Sequence, residues 1–176
     1  VTLPCSFMLV AAMNPCPCGY YNDPHHPCTC RPGQVQRYMS RISGPLLDRI
    51  DLQVEVVPVS VRELSSAPAG ESSAAIRARV VAARRRQAAR FADCPGVHCN
   101  AQMAARHIKA FVHLDESART ALEQALDRLG LSARAYERVL KVSLTLADLD
   151  GVDQITRAHI AEAISYRNLD RASWGE

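Results

Sequence analysis

The chain has 176 residues, 48% hydrophobic and 22% charged, a globular balance with room for one ordinary domain or two small ones. A net charge of +3 is too small to imply nucleic acid by itself, and no apolar run approaches the ~20 residues that cross a bilayer. Val1 to Met13 has no basic start and no small-residue cleavage pattern, and the seven cysteines are an odd number. Together these favour thiols or a metal over a disulfide framework and predict a cytoplasmic protein. The chain opens on Val1 rather than Met, as expected of a piece of a longer protein.

In chain order, the apolar run FMLVAAM, Phe7 to Met13, predicts a strand buried on both faces. Such a strand needs neighbours, and this chain offers few, so others are expected upstream. Cys16 to Pro32 is a loop by composition. A short helix is predicted over Gln34 to Ile42, a helical turn near Pro45, and a strand from Asp51 to Val57 that Pro58 ends. SSAPAGESS, Ser65 to Ser73, reads as a linker.

The remainder reads as helical. Glu71 to Phe91 carries the stripe Ile76, Val80, Ala83 and Phe91, and a short helix follows from Ala101. Asp115 to Leu129 carries Ala118, Leu122, Ala125, Leu126 and Leu129, closed by Gly130. Ser132 is the predicted N-cap of a helix with the stripe Ala135, Val139, Val142, Leu146 and Leu149. A last helix, Thr156 to Leu169, is predicted to bury Ile160 and Ile164. The predicted fold is mainly α with a partial α/β part: residues 1–64, a linker at 65–73, and an all-helical domain at 74–176.

Cys16, Cys18, Cys28 and Cys30 form C-x-C-x9-C-x-C. Zinc takes four thiolate or imidazole ligands in a tetrahedron, so these four are candidate zinc ligands, with His25 and His26 able to replace one or two sulfurs. The other reading is a reduced, Pro-rich surface loop. Cys94, His98 and Cys99 form a smaller cluster of the same residue types.

Asn14 follows the predicted strand, at the end where open α/β sheets bind ligands. It could equally be a turn asparagine. Arg49, in GPLLDRIDL, is a cation in an apolar stretch. It must find a phosphate or pair with Asp48 or Asp51. Arg134 falls in the first turn after Ser132, where the helix dipole disfavours a cation by a few tenths of a kcal/mol. It either reaches an external anion or is solvated. Arg77, Arg79, Arg84, Arg85, Arg86 and Arg90 load one helix with positive charge, as a solvated face or as a contact for a phosphate backbone. FVHLDES, Phe111 to Ser117, imitates an ATPase acidic motif, but no G-x-x-x-x-G-K-[ST] phosphate loop occurs in the chain.

Taken together, FMLVAAMNPCPCG, RYMSRISGPLLDRIDL, GESSAAIRARVVAARRRQ, LSARAYERVLKVSLTLADLDG and ITRAHIAEAISYR resemble, in family order, the Mg-chelatase-related AAA+ ATPases, and most of all their ComM (YifB) branch. The resemblance implies that residues 1–64 are the end of an AAA+ α/β core and 74–176 its helical lid. Asn14 would be sensor 1, Arg49 an arginine finger acting in trans, and Arg134 sensor 2, binding nucleotide. The longer parent would use ATP and Mg²⁺ in a hexameric ring. In the ComM branch the implied work is DNA helicase and branch-migration activity in natural transformation, with DNA as partner and Arg84, Arg85 and Arg86 as candidate contacts. In the Mg-chelatase branch it is metal insertion into a porphyrin. A zinc-stabilised helical binding module with no ATPase role is the reading from another class. Without Walker A and Walker B motifs, the chain alone is expected to be inactive.

Overall fold

The computed structural model describes residues 7–60, 65–66, 70–130 and 132–167. They fall into two compact units, one up to Ile42 and one from Ser43 on.

The first unit is built around a loop rather than an apolar core. Among its described residues the only buried hydrophobic is Cys16. Gly19, at φ +88°, adopts the left-handed conformation that a side chain would strain, and its N–H donates to the Cys16 carbonyl at 3.0 Å. This tight turn folds Cys18 back beside Cys16. Helix α1, Gln34–Met39, follows.

The second unit holds the helices α2 (Gly44–Leu47), α3 (Ser73–Arg90), α4 (Ala105–Phe111), α5 (Glu116–Leu129), α6 (Ala133–Asp150) and α7 (Arg157–Ser165), with a 3-10 turn at Asn100–Gln102. Caps set their limits. Ser72, Asp115 and Ser132 each accept a hydrogen bond from the backbone N–H three residues on, which satisfies a donor the helix leaves open. Gly130, left-handed at φ +56°, closes α5. Helix α6 is central and packs against α3, α4, α7 and the 3-10 turn. The core gathers Leu122, Val139, Leu140, Leu144, Ile155 and Ile160, with Phe91 and Phe111 edge to face at 5.5 Å.

One buried polar knot ties these helices together. The Asp148 carboxylate is fully buried and accepts from both Arg90 nitrogens, at 2.8 and 2.5 Å, and from Asn100 Nδ2 at 2.9 Å. Asn100 also donates to Thr145, and its backbone N–H to Gln87. A carboxylate so deep requires this saturation, because an unpaired buried charge is costly.

The two predicted strands are corrected. Residues 7–14 and 52–60 form no strand; among the described residues the one bridge joins Leu114 and Ile155. Phe7, Met8, Leu9 and Val10 are exposed, as are Val54, Val56 and Val57. A strand forms only where a second backbone receives its N–H and C=O groups in succession; the second run shows one such bond, from the Gln53 N–H to the Tyr166 carbonyl at 2.8 Å, and no ladder builds on it. The mostly helical half of the predicted fold class is observed. The helix stripes also need adjustment. In α6 the most buried line is Ala135, Val139, Leu140, Ser143, Leu144, Ala147 and Asp148, one position off the predicted Val142 and Leu146, which lie at its margin. In α3 only Ala83 and Gln87 are buried, with the C-capping Phe91, whereas Ile76 and Val80 are exposed. Residues 67–69 of the predicted linker, and the last residues of the predicted final helix, 168–169, lie outside the described residues.

Candidate functional site

The sulfurs of Cys16, Cys18, Cys28 and Cys30 all lie within 4.8 Å of one another. Cys16 is 3.2 Å from Cys18 and 3.8 Å from Cys28, and Cys18 is 3.5 Å from Cys28. A tetrahedral zinc with bonds of about 2.3 Å sets its sulfurs roughly 3.8 Å apart, so the donor set fits that ion in number, type and spacing. The electrostatics agree. The Tyr20 backbone N–H, more than any other contact, holds the Cys18 thiol down to about 5. Desolvation pushes Cys30 up to about 12. At Cys28 the Cys30 backbone hydrogen bond lowers the thiol, but desolvation and the sulfurs of Cys18 and Cys16 outweigh it and the net direction is upward.

The histidines are not among these donors. Asp23 accepts from the backbone N–H of His25 and of His26, at 2.7 and 3.0 Å, and the His26 ring lies against Tyr20 with centroids 5.0 Å apart. Cys94, His98 and Cys99 are not gathered into a ligand group either; among the described residues the four-cysteine set is the only one.

Asn14 belongs to the first unit and is exposed at the end of the apolar run that enters the cysteine loop. Arg49 and Arg134 belong to the second. Arg49 is exposed and its Nη1 donates to the Pro45 carbonyl at 2.6 Å. It pairs with neither carboxylate beside it. Asp48 instead accepts from Ser132 Oγ at 3.1 Å and lies 3.9 Å from Arg167, while Asp51 pairs with Arg138. Arg167 also donates to the Ile50 carbonyl, and the Gln53 N–H to the Tyr166 carbonyl. The segment carrying Arg49 is thus strapped to the first turn of α6, which carries Arg134, and to the end of α7. Arg134 is exposed and has no ion pair among the described residues. Sequence reasoning offered Asp48 and Asp51 as partners of Arg49 and missed Arg138 and Arg167, because those contacts span 87 and 117 positions or more.

The basic helix divides. Arg84 and Arg85 are exposed, and Arg84 donates to Gln87 at 3.2 Å. Arg86 pairs with Asp153 and lies 3.6 Å from the buried Asp148, so its charge is already met. Asp115, from the ATPase-like stretch, is an N-cap: it accepts from the Ala118 N–H at 2.6 Å and from Ser117 Oγ at 2.8 Å.

This arrangement, a helical unit with Arg49 and Arg134 both exposed, is the setting for the comparison with known proteins. Residues 70–167 match the family described as magnesium chelatase, subunit ChlI C-terminal, and residues 1–64 match magnesium chelatase, subunit ChlI. The chain belongs to this family. It is 46% identical over 173 residues to the YifB protein of Escherichia coli, covering 97% of this chain and 33% of that protein. It is 42% identical over 172 residues to the competence protein ComM of Haemophilus influenzae, covering 97% of this chain and 32% of ComM. A Mycobacterium tuberculosis protein is 38% identical over 164 residues, with 93% of this chain and 32% of the relative covered. The chain spans about a third of the length of the curated relatives it matches.

Proposed function

We propose that the chain is the C-terminal part of an AAA+ ATPase module, comprising the end of the α/β core and the helical lid, and that its full-length parent is a ComM-like hexameric motor acting on DNA in transformation and recombination. The observation that carries this is the state of Arg49. It projects from an apolar segment, unpaired, while both neighbouring carboxylates are committed to α6 and α7. An exposed cation with no carboxylate partner, bonded only to the Pro45 carbonyl on a docked segment, suits an arginine finger that meets the γ-phosphate of the next subunit. Arg134, exposed on the first turn of the helix to which that segment is strapped, suits sensor 2, and Asn14 suits sensor 1.

Phe7–Met13 and the run from Val54 are, in this reading, core strands whose partners lie in the rest of the parent. ATP and Mg²⁺ would be held by that remainder, and the ring would work in the cytoplasm. Among the described residues no helix is long and apolar enough to cross a membrane. The four cysteines hold one structural zinc, closed to substrate because all four positions are taken by the protein.

The test is made in the full-length parent. Arg49→Ala should lower ATP turnover by roughly 10³–10⁵ while ATP binding and the melting temperature stay as they were. Mixing these subunits with subunits lacking the phosphate-loop lysine should restore activity, because some interfaces then pair an intact phosphate loop with an intact finger. No recovery, with a lowered melting temperature for Arg49→Ala alone, would refute the finger. The 176-residue chain by itself should release no phosphate from ATP.

Two other readings stay distinct. The family match also fits an ATPase that drives metal insertion into a porphyrin. In that case porphyrin metallation, and not DNA, should depend on parent turnover. The cysteine cluster fits a zinc-stabilised binding module, for which Arg49→Ala should leave parent ATPase unchanged.

A further inference from the structure

The first unit carries a groove of about 770 Å³ beside the cysteine loop, lined by Pro17, Arg31, Gln34, Arg37, Tyr38 and Arg41. Among the described residues that line it, three of six are arginines and none is acidic. Among the described residues none of the three makes an ion pair: Arg37 Nε donates to its own helix at the Gly33 carbonyl, 3.4 Å away, and the Arg31 backbone N–H to Gln34. The one carboxylate between Phe7 and Ile42 is Asp23, which is taken up by the N–H groups of His25 and His26 and by the His26 ring. Three arginines lining one groove, with no acidic partner among the described residues, repel one another, and an anion entering the groove relieves that repulsion.

The aromatic residue narrows the choice of anion. Tyr38, half-buried, lines the same groove among the arginines. A flat ring among guanidinium groups is the chemistry that holds single strands, with phosphates on the cations and an unpaired base stacked on the ring. A base in a duplex is already stacked and cannot be shared this way. The groove is also braced. Pro17 lies between Cys16 and Cys18, and Arg31 follows Cys30, so a metal at the four sulfurs fixes two of its walls.

We propose that this groove binds single-stranded DNA, with Arg31, Arg37 and Arg41 on successive phosphates and a base on Tyr38. The inference deepens the DNA-motor reading and rests on it. It places the contact in the first unit rather than at Arg84 and Arg85.

The test uses the zinc-loaded 176-residue chain and fluorescence anisotropy of a labelled oligothymidylate of about 20 nucleotides, with a duplex of equal length in parallel. Salt is varied from roughly 50 to 200 mM. The chain should prefer the single strand. The triple variant Arg31→Ala, Arg37→Ala, Arg41→Ala should bind at least ~10-fold more weakly and lose about 2 from the slope of log affinity against log salt, since each neutralised phosphate contributes about 0.7. The corresponding triple Arg→Lys variant should keep the slope. Tyr38→Ala should weaken binding about 5- to 150-fold with the slope unchanged, because stacking releases no counterions. Zinc content and far-UV circular dichroism equal to the parent chain's establish that each variant is folded.

Unchanged affinity and slope in the folded triple Ala variant would overturn the proposal. So would loss of binding only in an Arg84→Ala, Arg85→Ala variant, equal affinity for duplex and single strand, or no binding at all. ATPase stimulation of the full-length parent by single-stranded DNA separates the two levels. Stimulation that persists in the groove variant refutes the groove and leaves the motor standing. Absence of any DNA stimulation, with no DNA binding by the chain, removes both.

Discussion

Asp148 and Asp153 make opposite demands although both meet Arg86. Asp148 has no exposed side-chain surface and carries Arg90 and Asn100 as well, whereas Asp153 is 97% exposed. Asp148→Asn removes a charge that two arginines share in the interior, and should cost about 3–5 kcal/mol of stability by chemical denaturation. Asp153→Asn should leave the denaturation midpoint nearly unchanged, because water screens an exposed pair. Equal effects of the two substitutions would mean that the knot does not hold the helices together. The comparison also bears on Arg49, whose exposed guanidinium is bonded only to a backbone carbonyl. Its removal should be felt in turnover and not in folding.

At the scale of the element, helix α5 depends on its first turn. The Ala118 N–H, and after it the Ser117 hydroxyl, hold the Asp115 carboxyl below the usual carboxylate range. A carboxyl lowered by folding contributes stability that is complete above its unfolded pKa of about 3.9 and is lost as pH falls through the folded value. The melting temperature of the chain should therefore fall on acidification below about pH 4 less steeply in Asp115→Asn, which keeps a capping oxygen but cannot titrate. An identical pH profile for the two proteins would exclude Asp115 as a source of the acid sensitivity. Helix α3 shows the opposite case. Its N-terminal half exposes Ile76, Val80 and Val81 along an otherwise regular helix, capped by Ser72 and clamped by the Glu71–Arg79 pair at 2.6 Å. Local signals suffice to make the helix, while burial is confined to its second half.

The whole molecule joins two ways of being stable. The second unit buries a shared apolar core; the first buries only Cys16 among its described hydrophobic residues and has four sulfurs in its place. Structural zinc supplies folding free energy of about 10–16 kcal/mol in small domains of this kind, so its removal should act on one unit alone. Elemental analysis should find one zinc per chain. A strong chelator should open tryptic cleavage at Arg37 and Arg41 while sites in the second unit such as Arg90 and Arg138 stay protected. Chelation that leaves all sites equally resistant would show that the cysteine loop folds without metal.

The sequence by itself determined what depends on near neighbours. The start of α5 at Asp115, the cap at Ser132, the glycine stop after α5 and the helical character of most of residues 73–165 follow from residues within a few positions of each other, whereas the cap at Ser72 reads in sequence as part of the linker. The four-cysteine cluster was legible too, because C-x-C pairs turn their sulfurs together locally and only the closure of two pairs is left to the fold. Tertiary structure decided the rest. It set which face of α6 is innermost, since Asp148 can be buried only where Arg90 and Asn100 arrive to satisfy it. It left Phe7–Met13 and Val54–Val57 exposed, because hydrophobic sequence supplies a strand's appetite for burial but not the second backbone that completes its hydrogen bonds. It also left Arg49 unpaired, because the acids beside it in sequence were claimed by Ser132, Arg138 and Arg167, groups that only the folded chain brings within reach.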